Sequence, residues 1–266
     1  MWRDLKKLPR ELWILCLATF INRLGTMALP FLMLYLTRSL GFSAARAAGA
    51  LTLFGVVALV VSPISGRLSD RWGAGRVMQT MLLSFGIILL LFPLAQEWPV
   101  VIVMTMLFAA TNEAFRPANL TLIGELSGPE HRKAAFALHR LAINLGMSVG
   151  PAVGGILAQF SFRALFIVDG VTAIAAASVL HFTSFRPLVL AREAKLREAK
   201  SKAEGANGKR THMFHAILTD RRLQTFIIGI LPIFIVFWQH NSTMPLFLVR
   251  DLHFPATFYG LSLIHI

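Results

Sequence analysis

Charged and amide side chains interrupt two long apolar segments of this sequence. Asn22 and Arg23 lie in the first segment, and Asn112, Glu113 and Arg116 lie in a later one. Glu113 and Arg116 are three residues apart, which places them on one face of a helix. A proton bound to a carboxylate removes its attraction for a neighbouring arginine. These residues therefore predict a protonatable site, Glu113, whose charge is tied to the two arginines.

Ionisable groups at membrane depth cost about 2.5–3.5 kcal/mol on insertion scales, which favours a functional reason for them. Counted from the ends of their segments, Arg23 lies near mid-depth and Glu113 lies one or two turns closer to the cytoplasm, so that the two could pair. The alternative is a static ion pair that only lets helices pack. Asn144 and His240 are further candidates for the pathway, although His240 could instead reach the outer interface. Asp169 is expected near the outer surface on a lipid-facing helix, in a structural role.

The composition identifies these segments as membrane spans. Of the 266 residues, 56% are hydrophobic and 15% are charged, and the mean hydropathy is +0.65. About 20 apolar residues cross the hydrocarbon core of a bilayer as a helix. The sequence therefore predicts an all-α integral membrane protein with seven spans and the start of an eighth. The predicted spans cover residues 12–36, 47–66, 77–96, 98–122, 141–162, 164–183 and 223–248, and the eighth begins near residue 257.

The basic residues lie mainly on one side of these spans. Most of the 26 lysines and arginines fall in the N-terminus, in the loops after the second and fourth spans, and in segment 184–222. Such loops remain in the cytoplasm, which predicts a multi-pass protein of the cell membrane with a cytoplasmic N-terminus. The formal net charge of +13 thus reflects topology, and no nucleic-acid partner is expected. The single cysteine, Cys16, lies inside the first span, and nothing indicates a metal site.

The order of the spans predicts three regions. Residues 1–183 form a six-helix bundle, residues 184–222 form a basic cytoplasmic linker, and residues 223–266 begin a second bundle. A weak internal repeat supports this division, because residues 34–44 and 246–256 are identical at six of eleven positions. The repeat places the end of span 7 in register with the end of span 1, as in transporters built from parallel repeats.

Two glycine-containing motifs stand out. The loop after span 2 reads "GRLSDRWGAGR", with Gly66 and Gly73 permitting a sharp turn and a close approach of the backbone. Asp70 in this loop is placed to cap a facing helix or to pair with an arginine, and the simpler interpretation is an ordinary positively charged turn. Span 5 carries glycines every four residues, which form a flat groove for another helix. Its motif residues are Gly146, Gly150, Pro151, Gly154 and Gly155, and the proline favours a bend.

These motifs resemble signatures of the major facilitator superfamily, and each lies in the span where that family has it. The loop residues are Gly66, Asp70, Arg71, Gly73 and Arg76; the family usually has two bases directly after the second glycine, whereas Ala74 and Gly75 precede Arg76 here. The span-5 motif looks like that of the antiporters of this family. Span 4 lacks the arginine–glutamine–glycine pattern of proton-coupled relatives. The resemblance covers the whole chain.

The resemblance implies a complete N-terminal bundle of the family's fold, followed by span 7 and the start of span 8. Spans 1, 4 and 7 would line a central cavity. The loop would form a cytoplasmic latch that stabilises the outward-facing state, with Asp70 against a helix of the opposite half. Glu125 is the expected acidic partner of Arg76 or Arg132.

The predicted function is secondary active transport by alternating access, most like proton-coupled export of small amphipathic compounds or drugs. No cofactor is expected, since the proton gradient is the predicted energy source and no phosphate-binding loop occurs. No nucleophile–base constellation indicates an enzyme. The alternatives are an importer of peptides, sugars or other metabolites, and a non-transporting receptor or scaffold. A twelve-span member has about four more helices, so we expect a missing C-terminal half or a partner chain to be needed.

Overall fold

The computed structural model describes residues 5–183, 185 and 220–263, and it contains seven helices long and apolar enough to cross a membrane. These are called spans 1 to 7, and a short helix, Ala256–Ser262, begins span 8. The prediction of an all-α protein with seven spans and part of an eighth is confirmed. Most of the predicted linker, 184–222, lies outside the described residues. The spans are Arg10–Ser39, Ala44–Trp72, Ala74–Leu94, Trp98–Leu126, Arg132–Phe160, Phe162–His181 and Gln224–Asp251.

The connections between spans 1 to 6 are short, so that these consecutive helices run in opposite directions. A single glycine, Gly73, joins spans 2 and 3 with φ of +86°. Residues 127–131 join spans 4 and 5, and Ser161 alone joins spans 5 and 6. The end of the bundle that carries Gly73 and residues 127–131 is called the basic end below, after its arginines. The other end carries residues 40–43, 95–97 and Ser161.

Each helix packs through a defined set of neighbours. Span 1 lies against spans 5 and 6, span 2 lies against span 4, and span 3 lies between spans 4 and 6. Span 7 packs on the second half of span 1, and span 8 packs on span 5. The apolar core away from the basic end is rich in aromatic rings, where Phe92 stacks on Phe166 with ring centroids 4.8 Å apart. Tyr35 packs on the same Phe166 ring at 4.7 Å, which ties span 1 to span 6.

Span 1 is broken near its middle. Its first helix, Arg10–Leu24, ends before Gly25, and its second helix, Ala28–Leu34, continues as a π-helical turn through Tyr35–Ser39. Asp169 of span 6 faces this break and is only 2% exposed. The expectation that Asp169 lies on a lipid-facing helix surface is therefore wrong. Span 6 buries the face that carries this carboxylate against span 1.

The backbone repeats itself at the two segments that the sequence repeat relates. Leu40 N–H donates to the carbonyl of Tyr35 (3.1 Å), and Leu252 N–H donates to the carbonyl of Phe247 (2.9 Å), at the same offset of 212 residues. Both π-helical turns, Tyr35–Ser39 and Leu246–Asp251, end spans. The residues that follow share a positive φ, +71° at Gly41 and +57° at His253. The weak sequence similarity thus corresponds to one local structure used twice, while the division into two bundles stays a prediction.

Candidate functional site

A cavity of about 740 Å³ opens between spans 1, 2, 4 and 7. Its wall is mostly apolar or small on spans 1 and 2, and it is polar where spans 4 and 7 face each other. Glu113 and Arg116 supply the charges, and three consecutive polar residues of span 7 lie opposite. The lining residues are Leu29, Met33, Ala44, Ala48, Leu51, Thr52, Phe54, Gly55, Ala58, Leu59, Glu113, Arg116, Trp238, Asn241, Ser242, Thr243 and Leu246. An apolar wall with a few converging polar groups is typical of a small-molecule site.

Glu113 is the acidic group of this cavity. One carboxylate oxygen, Oε1, accepts a hydrogen bond from Asn112 Nδ2 (3.1 Å), and Oε2 lies 3.4 Å from Arg116 Nη1. The Glu113 side chain is 14% exposed, whereas that of Arg116 is 59% exposed. The structure therefore brings together Asn112, Glu113 and Arg116 as one cluster. Because its partner is solvated, the ion pair contributes little stability, and the carboxylate is accessible from the cavity.

Arg23 does not form the ion pair with Glu113 that the sequence suggested. Its guanidinium carbon lies 5.9 Å from the centre of the Phe115 ring, and its buried Nε has no hydrogen-bond partner among the described residues. Phe115 and Glu113 are two residues apart, so their side chains leave the helix about 200° from each other. Arg23 approaches span 4 on the Phe115 face, whereas Glu113 lies on the cavity face. That difference in face is the reason the two do not pair.

The glycines of span 5 produce the close approach that their spacing predicts. A Cβ atom at Gly150 would lie 2.9 Å from the carbonyl oxygens of Arg23 and Leu24, and one at Gly154 would lie 3.1 Å from Met27 Cβ. Gly146 meets Arg23 in the same way. The face of span 5 that carries these glycines therefore lies closely on span 1 around its break, against the backbone at Gly146 and Gly150 and against side chains at Gly154.

A second face of span 5 receives span 8. A Cβ atom at Gly155 would lie 2.9 Å from the carbonyl oxygen of Ala256 and from Thr257 Cα. Gly260 of span 8 in turn meets the carbonyl of Pro151. Pro151 is buried within one continuous helix, Arg132–Phe160. All five residues of the span-5 motif thus lie at helix–helix contacts, with span 1 on one side and span 8 on the other.

A buried polar cluster joins spans 1, 4 and 5 and was not anticipated from the sequence. Asn119 Nδ2 donates to Thr19 Oγ1 (3.2 Å) and lies 3.0 Å from His139 Nε2. The three residues are at most 5% exposed. Thr19 lies one turn before Arg23, and Asn119 lies one turn after Phe115, so this cluster adjoins the Arg23–Phe115 contact. The sequence did contain a signal for this cluster. Thr19 lies four residues before Arg23 and His139 lies seven residues before Gly146, so each shares a helix face with a residue that was already a candidate.

The sequence profile of the Major Facilitator Superfamily matches residues 15–266. The chain belongs to the Major Facilitator Superfamily. The resemblance that the loop and span-5 motifs carried is therefore confirmed over almost the whole chain.

Curated relatives within the superfamily are distant. The chain is 24% identical over 252 residues to the "Uncharacterized MFS-type transporter YqjV" of Bacillus subtilis, covering 94% of this chain and 58% of the relative. It is 26% identical over 169 residues to the "Quinolone resistance protein NorA" of Staphylococcus aureus, covering 63% of this chain and 43% of the relative. The chain thus spans about half the length of these relatives.

Solved superfamily structures share the fold. The crystal structure of tetrameric PepTSo2 superposes with a TM-score of 0.66 at 16% identity, covering 95% of this chain and 68% of that one. The crystal structure of a D-xylose-proton symporter gives a TM-score of 0.61 at 15% identity, covering 96% and 64%. The predicted superfamily fold is therefore confirmed.

The superfamily loop is only partly as predicted. Gly73 makes the turn and accepts the positive φ, but Gly66 lies inside the span-2 helix, where no described atom comes within 4 Å of a Cβ position. Its expected role in the turn is therefore wrong, because the helix continues to Trp72. Asp70, Arg71 and Arg76 are exposed, and Asp70 forms no ion pair with any residue the structure describes. The latch stays a prediction.

The other predicted site residues have separate locations. Asn22 is 5% exposed; Asn144 is exposed and does not line the described cavity. His240 also lies off that lining, with its ring beside Trp238, while its carbonyl accepts a hydrogen bond from Tyr259 (2.8 Å). Glu125 is half-buried near the basic end, and its pairing with Arg76 or Arg132 stays a prediction.

Proposed function

We propose that this superfamily member is a secondary active transporter, and not an enzyme, that exports small amphipathic compounds in exchange for protons. The observation that carries the proposal is the cavity of about 740 Å³, whose wall is apolar on spans 1 and 2 and carries Glu113 on span 4. An apolar body fits against Leu29 and Met33 of span 1 and the small residues of span 2, and a polar or cationic end fits beside Glu113 and the polar residues of span 7. The similarity to a protein described as conferring quinolone resistance supports amphipathic drugs as substrates.

Glu113 is the proposed proton site of the cycle. When it is ionised, it holds Arg116 and offers a negative charge to a bound substrate. A proton on Oε2 removes that charge, weakens the hold on Arg116 and releases a cationic end. Glu113 is largely covered, whereas Arg116 is solvated. Protonation of Glu113 therefore changes the net charge of the cavity wall itself. Proton binding and substrate binding at one carboxylate are then mutually exclusive, as exchange requires.

The membrane arrangement follows from the same proposal. The basic end is cytoplasmic in the cell membrane, and the loop with Asp70, Arg71 and Arg76 acts there as a latch. Alternating access requires two helix bundles that rock about a central site. We propose that a second bundle, or a partner chain, supplies the helix that faces Asp70. The bilayer and the transported small molecule are the remaining partners.

The test is transport by the protein made at its full native length and reconstituted into vesicles. A fluorescent quinolone serves as the probe, and its movement is followed under an imposed proton gradient. We expect quinolone to move against the direction of proton flow in the unchanged protein, and Glu113→Gln to abolish the proton-driven component. Asp251→Asn is the matched control, since Asp251 is exposed and pairs only with the neighbouring Arg250 among the described residues.

Each other outcome contradicts a specific part of the proposal. Full proton-driven movement in Glu113→Gln would exclude Glu113 as the proton site. Movement of quinolone in the same direction as the protons would indicate an importer. The absence of quinolone movement under gradients of either sign would leave a non-transporting protein, or a transporter of other compounds, as the better interpretation.

A further inference from the structure

The break in span 1 leaves two backbone N–H groups without helical partners, and both are satisfied by one side chain of span 6. Asp169 Oδ2 accepts hydrogen bonds from the N–H of Met27 (3.2 Å) and of Ala28 (3.1 Å). A backbone N–H left unpaired in an apolar environment is costly. Asp169 therefore replaces the hydrogen bonds that a continuous helix would have made, and it stabilises the broken form of span 1.

Close packing holds the break against Asp169. A Cβ atom at Gly25 would lie 3.2 Å from Asp169 Cα and would overlap Thr172, whose hydroxyl donates to the Asp169 carbonyl (2.9 Å). On the opposite side, Gly150 and Gly154 of span 5 meet Leu24 and Met27. The break is thus enclosed between spans 5 and 6. Its backbone has little freedom as long as the carboxylate is in place.

The second carboxylate oxygen of Asp169 lacks a hydrogen bond among the described residues. Oδ1 is buried and has no hydrogen-bond partner among the described residues, while the whole side chain is 2% exposed. A buried carboxylate with an unsatisfied oxygen is a costly arrangement that a proton relieves. Since both N–H bonds go to Oδ2, a proton can bind at Oδ1 without displacing them.

The charged surroundings of Asp169 are sparse. Among the described residues, Arg23 of span 1 is the cation that interacts electrostatically with Asp169. Tyr35 of span 1 packs its ring on Phe166, one turn away on span 6. Span 6 itself carries Arg163 near its first turn. The packed stretches of span 3 (77–96) and span 5 (141–160) contain no ionisable side chain. Arg23 also interacts electrostatically with Glu113, although the ion-pair partner of Glu113 is Arg116.

We propose that Asp169 is a proton-binding site that controls the break in span 1. Ionised Asp169 fixes the N–H groups of Met27 and Ala28, and a proton on Oδ1 removes the charge that makes these bonds strong. The break and the second helix of span 1 are then held less tightly against span 6. That helix carries Leu29 and Met33 of the cavity wall, so the bound proton changes the cavity. The consequence for transport rests on the proposed function, whereas the proton site itself does not.

The experiment compares amide hydrogen exchange in the peptide that contains Met27 and Ala28. The unchanged protein, Asp169→Asn and the control Asp251→Asn are measured side by side at several pH values, in lipid nanodiscs. Asparagine imitates the protonated, neutral acid in shape and charge. At high pH we expect exchange in Asp169→Asn to be several-fold faster than in the unchanged protein. At low pH the two rates should converge, while Asp251→Asn follows the unchanged protein throughout.

Two results would overturn the proposal. Equal rates for the unchanged protein and Asp169→Asn at every pH would show that the carboxylate does not hold the break. A constant ratio at every pH would show that Asp169 takes up no proton. If Asp169→Asn does not fold, infrared spectroscopy takes the place of hydrogen exchange. It measures the C=O stretch of protonated carboxyl groups in the unchanged protein and in Asp169→Glu. A titrating band that shifts in Asp169→Glu supports the site, and the absence of such a band excludes it.

These measurements need no substrate, so they remain valid if the transport proposal fails. Conversely, vesicles that exchange quinolone for protons normally in Asp169→Asn would leave the proposed function intact and exclude a role for Asp169 in it. The two proposals therefore fail in different experiments.

Discussion

Span 5 and span 2 both carry several glycines, but these glycines have opposite surroundings. In span 5, Gly146 and Gly150 lie directly against the backbone of span 1, and Gly154 lies against the Met27 and Phe31 side chains of the same span. In span 2, Gly49 and Gly55 have no described atom within 4 Å of a Cβ position. The absence of a side chain thus has two different consequences: it allows close helix packing in span 5, and it leaves open space beside span 2.

The difference assigns separate roles to the two helices. Span 5 holds the two halves of span 1 and the start of span 8 in fixed positions, because contacts between backbones cannot adjust. Span 2 presents a row of small residues to the cavity, among them Ala44, Ala48 and Gly55. The volume of the cavity depends on this row. We therefore expect substitutions in span 5 to lower the stability of the fold and substitutions in the cavity-lining row of span 2 to change the transport of substrate.

The largest expected effect is that of adding a side chain at the span-5 contact. Gly150→Val would place a Cβ atom 2.9 Å from two carbonyl oxygens of span 1, and overpacking of this kind costs about 1–3 kcal/mol or more. The matched control is Gly49→Val, where the new side chain meets open space and the free energy of unfolding should change by about 0.5 kcal/mol or less. Thermal unfolding of the purified proteins in nanodiscs measures both.

Equal melting temperatures for Gly150→Val and Gly49→Val would contradict the contrast between the two spans. A loss of stability in Gly49→Val alone would mean that span 2 is covered by another part of the protein. Both outcomes are read from the same pair of variants.

The spans and the span-5 packing could be predicted because they depend on local patterns. Apolar stretches of the length of a bilayer define helices without reference to the rest of the chain. A repeat of glycines every four residues defines one helix face. The proximity of Glu113 and Arg116 is likewise local, since a spacing of three residues fixes it.

The errors concern the rotation of one helix relative to another. The sequence placed Arg23 opposite Glu113, and it placed Asp169 on a helix expected to face lipid. Both expectations depend on how each helix is rotated about its own axis, which decides the side chains that face its neighbours. Asn119 and His139 meet Thr19 across three spans, at a distance in sequence that no local pattern reports. The sequence could not show which of Gly66 and Gly73 makes the turn, because both are glycines in the same loop motif. The helix of span 2 continues to Trp72, and only Gly73 adopts the positive φ of the turn.

A smaller effect is expected from filling the cavity from span 2. Ala48 lines the cavity, whereas its neighbour Ala47 is 0% exposed in the core. Ala48→Phe should leave the melting temperature unchanged and raise the quinolone concentration for half-maximal transport about tenfold, since pocket volume alone discriminates by factors of this order. Ala47→Phe should reduce stability instead. Quinolone transport in vesicles, together with thermal unfolding, separates the two. Normal transport by Ala48→Phe would show that substrates do not use this cavity.

The smallest effect is expected at the two turns that the internal repeat relates. There, the room available for a side chain can be distinguished from the strain that a positive φ imposes on it. Gly41 and His253 occupy equivalent positions with positive φ, and His253 is exposed. Gly41→Ala has room for its Cβ but should lose about 1 kcal/mol, because a side chain disfavours this conformation. His253→Gly should gain up to about 0.5–1 kcal/mol, since it removes the same strain without removing a packed group. Thermal unfolding in nanodiscs gives both signs. If both variants lost stability, the His253 side chain would have a contact of its own, and the two turns would be alike in backbone but not in role.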